Sequence, residues 1–166
     1  QDLVHLTDGD GTHEVNWSPD RTFYVDRWSR VDLPPVHELR DGRDGRRILV
    51  LERADASRFR AEGFRSPERF VAKGRDGKTD IWGIIHRPSD FRVGRRYPVI
   101  EEIYAGPHGA FVPKSFRAYH GAQKLAELGF IVVQIDGMGT NHRSKAFHDV
   151  CWKNLADSGF PDRKAW

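Results

Sequence analysis

Pro98-Val99-Ile100-Glu101-Glu102-Ile103-Tyr104-Ala105-Gly106-Pro107-His108 runs from an apolar strand into a turn, and together with the next thirty residues it decides the fold. Gly106 lets the backbone reverse and Pro107 stiffens the exit, so the chain leaves the strand sharply. Ser115 to Leu128 then places Phe116, Tyr119, Ala122, Leu125 and Ala126 at helical spacing, and Gly129 ends the pattern. Phe130-Ile131-Val132-Val133-Gln134-Ile135 has the near-continuous apolar character of a strand covered on both faces. A strand over Pro98 to Tyr104, a helix and a buried strand, in that order, begin an α/β sheet.

Upstream, Glu68 to Lys73 and Thr79 to Arg87 flank Gly74-Arg75-Asp76-Gly77-Lys78, whose glycines and Asp tolerate the positive φ of a tight reversal, so a hairpin is predicted. Ala54 to Gly63 suits a short helix ending at its Gly, and a domain boundary is placed there. The first fifty residues read as short strands at His13 to Trp17, Thr22 to Trp28, Val36 to Arg40 and Arg47 to Leu51, separated by turn clusters. Four strands at nearly even spacing resemble one blade of a β-propeller. Such a sheet buries too little apolar surface to offset chain entropy alone, which implies further chain before Gln1.

Composition narrows the function classes. The chain has 166 residues, 38% hydrophobic and 31% charged, ordinary globular material for one domain or pieces of two. No window approaches the length of a membrane span. The net charge of +3 does not demand a polyanion, so nucleic acid is not expected as a partner. The basic groups Arg40 to Arg47 and Arg92 to Arg96 adjoin Gly or Asp and read as solvated loops. Cys151, the single cysteine, lies between Val150 and Trp152 and reads as a small buried hydrophobe.

Other candidate chemistries are weaker. Among eight histidines, His142 and His148 with Cys151 come nearest to a ligand cluster, but neither a paired Cys motif nor H-E-x-x-H is present, and no metal or cofactor is expected. Asp136-Gly137-Met138-Gly139 is not a dinucleotide fingerprint, because His142 stands where the third glycine belongs. Glu101 and Glu102 point to opposite faces of a strand and form no acid/base pair. Ser115, Ser144 and Ser158 lack the strand–turn–helix setting of a nucleophile, and no G-x-S-x-G occurs. Asn141-His142-Arg143-Ser144-Lys145 reads as a polar loop near substrate, and His108 could orient substrate or cap its own loop.

Ile103 to His108, preceded by Arg96-Tyr97-Pro98-Val99 and followed by Asp136 to Gly139, resembles the prolyl oligopeptidase family of serine peptidases, in its dipeptidyl peptidase IV branch. Leu6-Thr7, Trp17-Ser18-Pro19-Asp20 and Asp76 to Gly83 resemble the last propeller blade and the opening hairpin of the peptidase domain in that branch. Met138 stands where the family more often has arginine. The resemblance covers nearly the whole chain and implies a mixed fold: a C-terminal propeller blade over residues 1–53, then the N-terminal part of an α/β-hydrolase sheet over 54–166, incomplete before the nucleophile.

It also implies a function. In the family a Ser, Asp, His triad cleaves short peptides after proline or a small residue, and a tyrosine shares the oxyanion hole with the amide after the Ser. That role carries over to Tyr104 alone, as the catalytic residue of this chain. The triad would lie after Trp166, beyond a Gly159 to Arg163 loop, and the glutamates that hold a peptide N-terminus would lie before Gln1. The 166-residue chain is therefore expected to be inactive by itself, with a peptide substrate and the rest of the same polypeptide as partners. Two other readings stay open: an esterase or acyl hydrolase of the same fold, and a non-catalytic pseudoenzyme or β-rich binding module. Oligomeric state and compartment stay open too, because the family has exported and cytosolic members.

Overall fold

The computed structural model describes residues 3–157 and 159–166; Ser158 and the start of the chain at Gln1 lie outside the described residues. The chain divides into two compact units. One holds the chain up to Arg65 together with Pro113–Ala118, and the other holds Ser66–Val112 with Tyr119–Trp166.

The first unit is an antiparallel meander in the order β1 (Thr12–Trp17), β2 (Phe23–Arg30), β3 (Leu33–Asp41) and β4 (Arg47–Arg53). A short helix, α1 (Ser57–Ala61), follows it. Tyr24, Asp26 and Trp28 stand directly opposite Arg40, Glu38 and Val36, so period-2 alternation puts all six on one face. That face is charged. Arg40 donates from Nε and Nη2 to Glu38 at 3.1 and 2.7 Å and pairs with Asp8 at 2.6 Å, while His13 Nδ1 meets Asp26 at 2.9 Å. Arg40 lies inside β3, as the strand reading over Val36 to Arg40 has it, and not in a solvated loop with Arg43 and Arg46; burial obliges it to pair. β4 leaves Ile48, Leu49 and Leu51 exposed within this unit.

The second unit carries a four-stranded mixed sheet, β5 (Glu68–Lys73), β6 (Asp80–His86), β8 (Ile131–Ile135) and β7 (Val99–Glu101), in that spatial order. β5, β6 and β8 run antiparallel in turn, and β7 lies parallel to β8. The connection between β7 and β8 contains α2 (Gly121–Glu127), whose Ala122 and Ala126 pack on Val132 of β8. Val133 and Ile135 face the other way, against Ile81, Met138 and Phe147. β8 is thus apolar on both faces, as its composition predicts.

Two elements are shorter than their apolar patterns suggest. β7 covers three residues where the pattern reaches from Pro98 to Tyr104, because the ladder ends when Glu102 N donates to Val133 O at 3.0 Å and the chain then turns away. The helix predicted from Ser115 begins at Gly121, after an extended His120, and Phe116 and Tyr119 lie outside it. Phe116 instead sends its N–H to Ser29 Oγ at 3.3 Å within the first unit, a tertiary contact that overrides helical spacing. Gly129 does end the helix, in the left-handed region at φ 97°.

A third difference lies near the C-terminus. Gly159 to Arg163 is not a loop: α4 (Phe160–Ala165) follows the short helix α3 (Lys145–His148) and two 3-10 turns at Asp149–Cys151 and Leu155–Asp157. Pro161 sits in the first turn, where its missing N–H costs no intrahelical bond. Among the described residues no helix is long and apolar enough to cross a membrane.

Candidate active site

Parallel strands β7 and β8 bring their carboxyl ends to one edge of the sheet. Chain leaving β7 supplies Tyr104 to Val112, and chain leaving β8 supplies Asp136 to Thr140, a fully buried run. Active sites of α/β folds gather at such edges, because the diverging loops leave a crevice between them. Here the Ala105 to Pro107 and Met138 to Thr140 backbones enclose a space of about 20 Å³, closed by Cys151 and Leu155, which is room for one water.

The second loop holds the first. Asp136 Oδ1 accepts from Phe111 N at 2.6 Å and from Val112 N at 3.2 Å. Asn141 N donates to Gly109 O at 3.1 Å, and His148 Nε2 donates to Pro107 O at 3.0 Å, which requires the Nε2-protonated tautomer. A loop anchored at 107, 109, 111 and 112 has little freedom left.

Tyr104 stands at the open side of this edge with 41% of its surface exposed. It is not a strand residue packed on the sheet, since it lies three positions beyond the end of β7. Its ring packs on Phe111 with centroids 5.7 Å apart, and its carbonyl accepts from Arg163 Nη2 at 3.0 Å. Gly106 lies beside the phenol, and its backbone φ is not in the left-handed region, so no unusual turn demands a glycine there. An exposed phenol on an immobilised backbone can donate a hydrogen bond to an oxygen that gains negative charge.

Other candidate residues serve structure. His148 is committed to Pro107, and Cys151 is half-buried at the crevice, its Sγ donating to His148 O at 3.0 Å, instead of being a fully buried hydrophobe. Among the described residues no group of three or more His, Cys, Asp or Glu side chains could hold a metal ion. Glu101 pairs with Arg163, whereas Glu102 accepts from Gln134 Nε2 at 2.8 Å, so the two glutamates do diverge. Ser144 caps α3 by accepting from Phe147 N, and Arg143 stacks on the Phe147 ring with its guanidinium carbon 4.3 Å from the centroid. Ser115 lies in the irregular segment of the first unit, and His108 is exposed.

Four charged residues escaped the sequence reading. Asp162, fully buried, accepts from Arg75 N, Nε and Nη2 at 2.9, 3.1 and 2.8 Å and from Met138 N at 2.9 Å. Asp157 takes two further bonds from Arg75 at 2.6 and 2.7 Å. The Asp157 bond, then the Asp162 bond, raise the Arg75 pKa, and Arg75 in return holds the Asp157 carboxyl below the usual range. Arg163, the fourth, is buried beside them. A Pro in the first turn with Asp early and Arg and Lys late is a helix signature, and it was the one signal in the sequence that could have exposed this pair.

The chain resembles known proteins over most of its length. Residues 115–166 match the prolyl oligopeptidase family. Dipeptidyl peptidase 8 of Homo sapiens is 35% identical over 155 residues, 88% of this chain and 17% of that protein. Dipeptidyl peptidase 8 of Mus musculus is 27% identical over 162 residues, with the same shares of each chain. The crystal structure of Porphyromonas gingivalis dipeptidyl peptidase 4 superposes with a TM-score of 0.77 at 25% identity, covering 96% of this chain and 23% of that one. This chain therefore spans 17% of the length of the curated relatives it matches first.

Proposed function

From the premise that this chain belongs to the prolyl oligopeptidase family, we propose that it forms part of a serine exopeptidase of dipeptidyl peptidase IV type, cleaving short peptides after proline or a small residue. On this reading residues 1–53 are the last blade of a β-propeller, and 54–166 are the N-terminal part of an α/β-hydrolase domain. The four-stranded meander with apolar β4 residues exposed suits a blade that packs on neighbouring blades. The mixed sheet with a parallel pair and crossover helix suits the start of a hydrolase core.

Tyr104 is the residue of this chain that acts on substrate. Attack by a serine hydroxyl turns the scissile carbonyl into a tetrahedral centre whose oxygen is negatively charged. A preorganised donor aimed at that oxygen stabilises it by roughly 3–4 kcal/mol, because the donor need not reorient as charge develops. The exposed phenol, with its main chain fixed at the carboxyl edge of β7 and β8, is the observation that carries the assignment. Ser144 is spent as a helix cap. The attacking serine, its histidine and its aspartate are assigned to other parts of a longer polypeptide.

The test is Tyr104→Phe in the full-length protein, assayed on a proline-containing dipeptidyl anilide. Loss of one oxyanion donor should lower kcat by about 100- to 1000-fold and leave KM within a few-fold. Wild-type kcat in the phenylalanine variant would reject the role of Tyr104.

A further inference from the structure

Arg163 ties together the two ends of the chain's exit from β7. Its Nη1 pairs with the Glu101 carboxylate at the last position of the strand, and its Nη2 donates to the Tyr104 carbonyl at 3.0 Å. The Arg163 side chain is 3% exposed and that of Glu101 22%, so the pair is largely shielded from water. Arg163 is itself held from behind, since its neighbour Asp162 is bonded to the Arg75 turn and to Met138 N. A helix turn thus presents a planar fork to both ends of the segment from Glu101 to Tyr104.

We propose that Arg163 is the positioning residue for the Tyr104 phenol. This rests on the reading of Tyr104 as the oxyanion donor. A charge-assisted bond to the Tyr104 carbonyl fixes the peptide plane that follows it, and with it the direction in which the Cα–Cβ bond leaves the backbone. The Glu101 contact fixes the chain three residues earlier, so the segment cannot pivot about the single carbonyl. Phe111 then limits the ring, and Asp136 holds Phe111 through its amide. A donor misplaced by about 1 Å loses on the order of 100-fold in rate, which is the scale on which such support acts. Lysine at 163 would keep the charge but offers a point in place of a fork, so it cannot hold both oxygens in the same geometry.

The experiment is a double-mutant comparison in the full-length protein, with kcat and KM on the dipeptidyl anilide for Arg163→Lys, Tyr104→Phe and the pair. R163K should lower kcat about tenfold and leave KM within about twofold. That loss should vanish in the Tyr104→Phe background, because the phenol is the only group it acts through. A merely structural arginine would instead cost the same in both backgrounds, and that outcome overturns the proposal, as does wild-type kcat in R163K. Wild-type kcat in Tyr104→Phe overturns the oxyanion reading and this proposal with it. If R163K does not fold, E101Q replaces it: the charge of the anchor is removed at constant volume, and about threefold lower kcat is expected only where Tyr104 is present. Equal E101Q effects in both backgrounds, or none in either, overturn the proposal.

Discussion

Gly106 lies against the Tyr104 phenol: a β-carbon at 106 would stand 3.4 Å from the hydroxyl oxygen and 3.7 Å from the ring carbon that bears it. Both are ordinary van der Waals distances, and the backbone at 106 is not left-handed. An alanine would therefore fit the fold and still occupy the space beside the phenol hydroxyl. Gly106→Ala is expected to lower kcat about tenfold, the equivalent of about 1.4 kcal/mol, with the thermal midpoint nearly unchanged. A variant equally active and equally stable would show that this space is not used.

Gly83 tells the opposite story. A β-carbon there would meet the Gln134 carbonyl oxygen at 2.6 Å and Trp166 at 2.9 Å, in the middle of the sheet where β6 pairs with β8. Backbone cannot give way as a side-chain tip does, so Gly83→Ala should cost about 1–3 kcal/mol or more. Urea unfolding of the full-length polypeptide reads this directly, and an unchanged midpoint would contradict the packing described.

Asp162 links three segments through Arg75 and Met138. Removing one partner of a buried ion pair leaves the other uncompensated, which costs about 3–5 kcal/mol. Arg75 keeps Asp157 and is 23% exposed, so Asp162→Ala should fall near the lower end of that range. A loss below about 1 kcal/mol, the scale of an exposed pair, would show the cluster to be open to solvent.

His86 sets an acid limit on stability. It is 1% exposed, its Nδ1 bonds Gln123 Oε1 at 3.2 Å, and its ring lies 5.3 Å from that of His120. Burial, reinforced by the His120 charge and opposed by the Gln123 bond, lowers its pKa from 6.5 to about 4. Well above pH 6.5 the ring is neutral in the folded and unfolded chain alike. As pH falls toward 4 only the unfolded chain takes up the proton, so stability drops, by at most about 3 kcal/mol. Denaturant melts from pH 7 to pH 4 should show this slope, and His86→Asn should flatten it. An unaltered slope in H86N would place the titration elsewhere.

How much was legible depended on the range of the contacts. β5 was readable to the residue and the hairpin turn to within one position, because alternation and the Asp76 turn are local: Asp76 accepts from Lys78 N and Thr79 N within its own loop. β8 was readable because burial on both faces writes itself as an unbroken apolar run. Ser115 to Ala118 carried helical spacing yet went elsewhere, and Arg40 read both as a strand end and as part of a solvated basic group yet is buried and paired with Asp8, since in both cases a partner is remote in sequence. The residues that hold the candidate site were hidden for the same reason, with 59 positions between Arg163 and Tyr104 and 87 between Asp162 and Arg75.

By itself the sequence determined which segments are strands and that Tyr104 closes the apolar run ahead of the crossover helix, because those outcomes follow from period, turn chemistry and apolar runs of a few residues. Only the tertiary structure decided that Tyr104 leaves the ladder, that it stays partly exposed against Phe111 and that a buried arginine grips its carbonyl. Ion pairs and backbone caps form wherever burial forbids an unpaired group, and which groups are buried is settled by packing, not by position along the chain.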